Sequence, residues 1–183
     1  MVSPPYPELD DLLTLMGEAG KRLSDIDASE GSAGNISIYI GWPIDPRGRF
    51  QLMEQISLPE PVPELAGSAF LVTGSGRRLR EVIAHPVANV GCLVVDEGGR
   101  TAKLHTSYHR LFTNLTSEFN SHLAIHYDHV NATQTNFHVV IHAQPPHLTF
   151  LSHIARYGDE TYLNQHLLRW QPEATKTGYH AGK

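Results

Sequence analysis

The chain has 183 residues, 40% hydrophobic and 18% charged, enough for one globular domain with its own core and too few for two independent ones. A formal net charge of -5 and a pI of about 6.1 leave no basic footprint of the kind that neutralises a phosphate backbone, which excludes nucleic acid as a partner. No apolar run approaches the roughly 18 residues of a membrane span, and Met1-Val-Ser-Pro-Pro5 lacks the basic and apolar regions of a signal peptide, so the expected location is the cytoplasm, with no membrane partner.

Leu9, Leu12, Leu13, Met16, Ala19 and Leu23 recur at helical spacing and predict an amphipathic helix with a core-facing stripe, Pro7 standing where a first turn tolerates it. Ser24 to Gly34 is small and polar and reads as a loop. Ile36, Ile38 and Ile40 then alternate with Ser37 and Tyr39 as in a half-buried strand. Pro43 to Gly48 is a predicted turn and Pro59 to Gly67 a loop, before a short buried strand over Ser68 to Val72 that runs into Thr73-Gly-Ser-Gly76.

Arg77 to His85 reads as a short helix stopped by Pro86, and Leu93 to Asp96 with Thr101 to His105 as a hairpin across Glu97-Gly-Gly99. Phe119, Leu123, Tyr127 and Val130 predict a helix over Ser117 to Val130, His138 to His142 is a strand, and helices follow at His147 to Ala155 and Asp159 to Trp170. The tail from Ala174 to Lys183 has no apolar periodicity. This order predicts an α/β domain in which helices cover a mixed sheet.

The single cysteine, Cys92, excludes an internal disulfide and any Cys-x-x-Cys motif, and its apolar neighbours mark it as an inert core thiol. Three matches to the glycosylation pattern, at Asn35, Asn114 and Asn131, have no visible secretory route and are read as accidental. Twelve histidines is the unusual count, and it raises the question of metal binding. His138 and His142 share a strand face about 13 Å apart, too far for one metal. His122 and His126 stand i and i+4 on a helix as in zinc proteases, but Leu123 occupies the place of the general-base Glu, which excludes that class. These two either line a cleft or belong to a polar helix face.

Several loops combine small residues with hydrogen-bond donors. Gly34 and Asn35 admit close approach of backbone N–H groups to an anion, or form an Asx turn before the strand. Thr73, Gly74 and Ser75 make a donor-rich turn at a strand end, a common place for a phosphate. Leu79 stands where a dinucleotide fingerprint needs its third Gly, and no Gly-Lys-Ser or Gly-Lys-Thr follows, so Rossmann and P-loop sites are excluded. Thr116 and Ser117 either cap the next helix or hold a phosphate at its positive end.

Taken together, Ser32-Ala-Gly-Asn-Ile-Ser37, Phe70-Leu-Val-Thr-Gly-Ser-Gly76, Thr116-Ser-Glu-Phe119 with His122, and Val139-Val-Ile-His-Ala-Gln-Pro-Pro146 resemble the class II aldolase and adducin family, and within it the rhamnulose-1-phosphate and fuculose-1-phosphate aldolases. The resemblance implies a three-layer α-β-α fold with a mostly antiparallel sheet spanning 1–183 as one class II aldolase-like domain. It also implies a homotetramer and a divalent metal, zinc by preference, acting on a sugar phosphate. By the same resemblance Glu118 is the proton-moving catalytic residue, although a carboxylate opening a helix also stabilises it without catalysis. Gly34, Asn35, Thr73, Gly74, Ser75, Thr116 and Ser117 are then the phosphate and substrate set, and His142 a metal ligand.

The family's sugar-phosphate aldolases carry His-x-His where this chain has His142-Ala-Gln144. Gln144, as a neutral amide donor, makes a weaker metal ligand than imidazole. The family's third metal histidine has no match before residue 183, so the metal site is expected to be incomplete. Three explanations stay open: a chain truncated at its C-terminus, a site completed by another subunit, or an inactive adducin-like binding or structural module. Relatives that epimerise pentulose phosphates or dehydrate a thioribulose phosphate leave the exact reaction open as well.

Overall fold

The computed structural model describes residues 1–29 and 31–166. The chain divides into two compact units, Met1–Ala143 and Gln144–Lys183. In the first, helix α1 (Leu9–Asp25) precedes strand β1 (Asn35–Ile40), β2 (Leu52–Ser57), β3 (Ala69–Thr73), the short helices α2 (Leu79–Val82) and α3 (Pro86–Asn89), β4 (Val90–Val95), β5 (Thr101–Thr106), α4 (Phe119–Thr133) and β6 (Phe137–His142). In the second, α5 (Pro146–Ser152) is followed by a 3-10 turn at Ala155–Gly158 and α6 (Glu160–His166). The predicted tail, and the last residues of the helix expected to reach Trp170, lie outside the described residues.

Among the described residues the strands form one six-stranded sheet in the order β2-β5-β4-β3-β1-β6. Every neighbouring pair is antiparallel, so among the described residues the expected mixed sheet has no parallel pair. One face is covered by α1 and α2: Leu12, Leu13 and Met16 pack with Leu79 and Val82 against Ile36, Ile38, Ile40, Leu71 and Cys92. The opposite face is covered by α4, whose Phe119, Leu123 and Val130 pack with Tyr39, Phe70, Val72, Leu93 and Leu104. Burying each such Leu, Ile or Phe side chain contributes about 1.5–3 kcal/mol before the entropy of ordering it is subtracted. The result is the three-layer α/β arrangement.

Three differences from the sequence reading have local causes. Strand β1 is buried on both faces rather than one, because α4 lies over the face carrying Asn35, Ser37 and Tyr39; Glu118, His122 and His126 answer Asn35 and Ser37 with hydrogen bonds, and Ser68 donates to the Tyr39 hydroxyl. Strand β2 is legible only in the structure: Met53, Glu54 and Gln55 are exposed in succession, since an edge strand with little cover needs no apolar alternation. The helix expected over Arg77 to His85 is confined to Leu79–Val82, and a second short helix, Pro86–Asn89, follows it where none was expected. Pro86 opens the second of them, at a position where its missing N–H has no partner to lose.

Helix α1 begins at Leu9, two residues after Pro7, with Glu8 and Asp11 forming a reciprocal capping box. Helix α4 starts two residues after the expected Ser117, which makes Glu118 its N-cap, with φ -92° and ψ 8°. It closes on left-handed Gln134, whose N–H donates to the Val130 carbonyl at 2.7 Å. No described helix is long and apolar enough to cross a membrane. Cys92 lies fully buried in β4, where burial pushes its thiol up to about 12.

Candidate active site

Antiparallel pairing brings the start of β1 beside the ends of β3 and β6. Asn35 stands in register with His142, and the Thr73 hydroxyl accepts from the Ile36 N–H at 3.1 Å and donates to the Ile36 carbonyl at 3.3 Å. Beyond β3 the chain turns and is zipped onto the segment that leads into α4. The Thr116 N–H donates to the Thr73 carbonyl at 3.0 Å, the Ser75 N–H to the Asn114 carbonyl at 2.9 Å, and Gly74 bridges Leu115. A Cβ on Gly74 would meet the Phe112 ring at 2.2 Å, so this close approach requires glycine. The two turns therefore lie side by side, and α4 is launched from the same corner of the sheet.

That launch point delivers Glu118 to the ends of β1 and β6. Glu118 Oε2 contacts His142 Nδ1, and Asn35 Nδ2 donates to the same carboxylate oxygen at 3.1 Å. Asn35 Nδ2 also lies 3.4 Å from His142 Nδ1; as two donors serving one oxygen, these nitrogens are neighbours rather than partners. The Glu118 and His142 side chains are 41% and 30% exposed, accessible to a small molecule, whereas Asn35 is buried. Gly34, at φ +93°, permits the packing beneath them: a Cβ there would stand 2.8 Å from the His142 carbonyl oxygen.

The residues expected to hold a phosphate divide into two groups. The Asn35 amide is engaged by Glu118, the Thr73 hydroxyl by Ile36, the Gly74 N–H by the Asn89 carbonyl at 2.8 Å, and the Thr116 N–H by Thr73. Thr116 Oγ1 accepts from the Glu118 N–H at a long 3.4 Å. Ser75 and Ser117 are exposed, and their hydroxyls make no hydrogen bond among the described residues. The first group builds the corner; the second keeps donors free at the opening of a 15-residue helix. Gln144 begins the second unit.

Three further polar residues lie behind this corner, and their role is invisible in the helix pattern alone. Ser37 Oγ is 2.7 Å from His122 Nδ1 and 2.7 Å from His126 Nε2, and all three residues are buried. His126 Nδ1 in turn lies 2.9 Å from His138 Nδ1. Burial pushes the His122 and His138 imidazoles below their usual range, and burial with the nearby His138, His122 and His129 pushes His126 down to about 3. For His122, Glu118 acts in the opposite sense and His142 in the same sense as burial. The usable sequence signal was the pairing of His122 and His126 at i, i+4 with Ser37 two residues from Asn35.

Among the described residues no group of three or more His, Cys, Asp or Glu side chains is placed to hold a metal ion. The donor chemistry at His142 nonetheless fits one in part. A hydrogen on Nδ1 shared with the Glu118 carboxylate leaves Nε2 as the free lone pair, the usual arrangement of a carboxylate-backed metal histidine.

Residues 14–180 match the family model of the Class II Aldolase and Adducin N-terminal domain. Rhamnulose-1-phosphate aldolase from Enterobacter sp. (strain 638) is 34% identical over 117 residues, 61% of this chain and 40% of that protein. The enzyme of the same name from Escherichia coli O81 (strain ED1a) is 33% identical over 115 residues, 60% of this chain and again 40% of its own length. The matched stretch thus spans about two fifths of these relatives. A crystal structure of a sugar-phosphate aldolase from Thermotoga maritima superposes with a TM-score of 0.67 at 22% identity, covering 92% of this chain and 66% of that one, which shows the shared fold. With the family match running over nearly the whole sequence, the chain belongs to the class II aldolase and adducin family.

Proposed function

We propose that this protein carries out reversible retro-aldol cleavage of a ketose 1-phosphate, with Glu118 as the group that moves the proton. The observation that carries this reading is the convergence of Glu118, His142 and Asn35 on one accessible corner beside two hydroxyl-bearing turns. Ser75 and Ser117 hold the phosphate, aided by the positive end of α4. Asn35 positions the carboxylate by donating to Oε2. In cleavage the carbon–carbon bond breaks as the substrate hydroxyl loses its proton to water, and Glu118 in its acid form gives a proton to the enediolate carbon. In synthesis the Glu118 carboxylate takes that proton back. A divalent metal held at His142 Nε2, when bound, would polarise the carbonyl and hold the developing oxyanion.

The relatives named rhamnulose-1-phosphate aldolase support a ketose 1-phosphate as the substrate class. The deciding experiment incubates the full chain with dihydroxyacetone phosphate in tritiated water, with zinc, cobalt or manganese supplied in turn. Tritium incorporation by the wild type and its loss in Glu118→Gln are expected. No incorporation with any of the metals would replace this reading with a binding module.

A further inference from the structure

The buried histidines behind the site form an unbroken hydrogen-bonded line. It runs from His138 Nδ1 to His126 Nδ1 over 2.9 Å, from His126 Nε2 to Ser37 Oγ over 2.7 Å, and from Ser37 Oγ to His122 Nδ1 over 2.7 Å. At its outer end His138 is only half-buried on the edge strand β6, with the exposed His129 stacked over it at 4.1 Å. At its inner end His122 is 2% exposed, and its Nε2 is buried with no partner among the described residues. His122 lies one helical turn beyond Glu118 on α4, and Ser37 lies two residues beyond Asn35 on the same face of β1. A buried polar atom left unpaired costs about 1–3 kcal/mol, so the fold keeps His122 Nε2 in this state against its own stability.

We propose that His138, His126, Ser37 and His122 form a proton relay joining the surface beside His129 to the buried side of the site, one helical turn behind Glu118. The inference rests on the proposed aldolase reading for its use, but not for its existence. Each imidazole carries one hydrogen. In one arrangement His138 Nδ1–H donates to His126 Nδ1, His126 Nε2–H to Ser37 Oγ, and Ser37 O–H to His122 Nδ1, leaving His122 with its hydrogen on Nε2. When, in the synthesis direction, the new substrate alkoxide takes that hydrogen and becomes a hydroxyl, His122 takes the serine proton, Ser37 takes the one from His126, His126 takes the one from His138, and His138 takes a proton from solvent on Nε2. Every group stays neutral, one proton enters and one leaves.

The opposite arrangement is equally hydrogen-bonded, so the line runs backwards as readily as forwards. That suits a reaction which releases one proton at a hydroxyl and consumes one at a carbon. Neutral rings are what burial enforces: among the described residues the titratable groups acting on His126 are His138, His122 and His129, with Tyr39 and Phe70 against its ring, and no carboxylate there traps a charge on it.

His138→Phe cuts the line at its outer end without touching Glu118, His142 or Asn35. In protein labelled with nitrogen-15 at histidine and transferred to deuterated water without substrate, the ring N–H of His126 should exchange at least about tenfold more slowly in this variant than in the wild type. A packing role predicts the reverse, since loosened packing speeds exchange; unchanged or faster exchange would overturn the relay. If His138→Phe does not fold, the wild type decides alone. His122 and His126 must each be neutral mixtures of both tautomers at pH 7, and a single locked tautomer at each overturns the proposal. With dihydroxyacetone phosphate, His138→Phe should lower proton exchange with solvent while leaving the binding constant for that ligand unchanged. Slowed ring exchange in a protein that turns over no ketose phosphate would sink the aldolase reading and leave the relay standing.

Discussion

His126 is buried beneath α4 with its imidazole pushed down to about 3 from an ordinary value of 6.5. Below pH 6.5 the unfolded chain binds a proton at this residue that the folded chain refuses until about pH 3, so stability falls as pH falls through that window and is regained as it rises. At 1.36 kcal/mol for each pH unit, acidification from pH 7.5 to pH 5 should remove about 2 kcal/mol through His126 alone. His122 and His138 shift in the same direction and add to it. Urea unfolding of the wild type and of His126→Gln at the two pH values isolates the contribution. The Gln variant keeps an amide that can bond Ser37 or His138 but does not titrate, so its loss on acidification should be smaller by about 2 kcal/mol. Equal losses in the two proteins would show that His126 accepts a proton in the folded state and would refute the reasoning.

Glu118→Gln should lower proton exchange or cleavage by about 10²–10⁴-fold while leaving the urea midpoint near that of the wild type, because the carboxylate is half-exposed; undiminished exchange would remove it as the acid-base group. Gly34→Ala should destabilise the fold by at least about 1–2 kcal/mol from its left-handed backbone, with the 2.8 Å approach to the His142 carbonyl adding to that, and a wild-type unfolding midpoint would contradict it. His142→Ala should weaken binding of zinc, followed by calorimetry, by at least about tenfold, and unaltered affinity would move the metal elsewhere.

Much of the secondary structure was legible from local pattern. The stripe from Leu9 to Leu23 specified α1, the apolar runs after Ser68 and His138 specified β3 and β6, and Gly98 with Gly99 specified the hairpin between β4 and β5. What periodicity could not report was what would cover a polar face. Ile36, Ile38 and Ile40 announce one buried side of β1, but only the docking of α4 turns the side bearing Asn35 and Ser37 into a buried one. For the same reason β2, thinly covered at the sheet edge, carried no readable alternation.

At the site, Glu118 and His142 were singled out by the resemblance of Thr116-Ser-Glu-Phe119 and Val139-Val-Ile-His-Ala-Gln-Pro-Pro146 to the class II aldolase and adducin family, since a carboxylate opening a helix and a histidine on a strand carry no such meaning alone. Their meeting was a tertiary matter: Asn35 reaches Glu118 across 83 residues and His142 across 107, separations at which sequence spacing says nothing about distance. The same contacts decided which donors are free. Thr73, Gly74, Thr116 and Asn35 all look like anion ligands in a linear reading, but in the folded chain their hydrogen bonds are used to build the corner, and Ser75 and Ser117 are left to face outward. Each backbone or side-chain donor has a limited number of bonds to give, and the fold, not the motif, determines where they go.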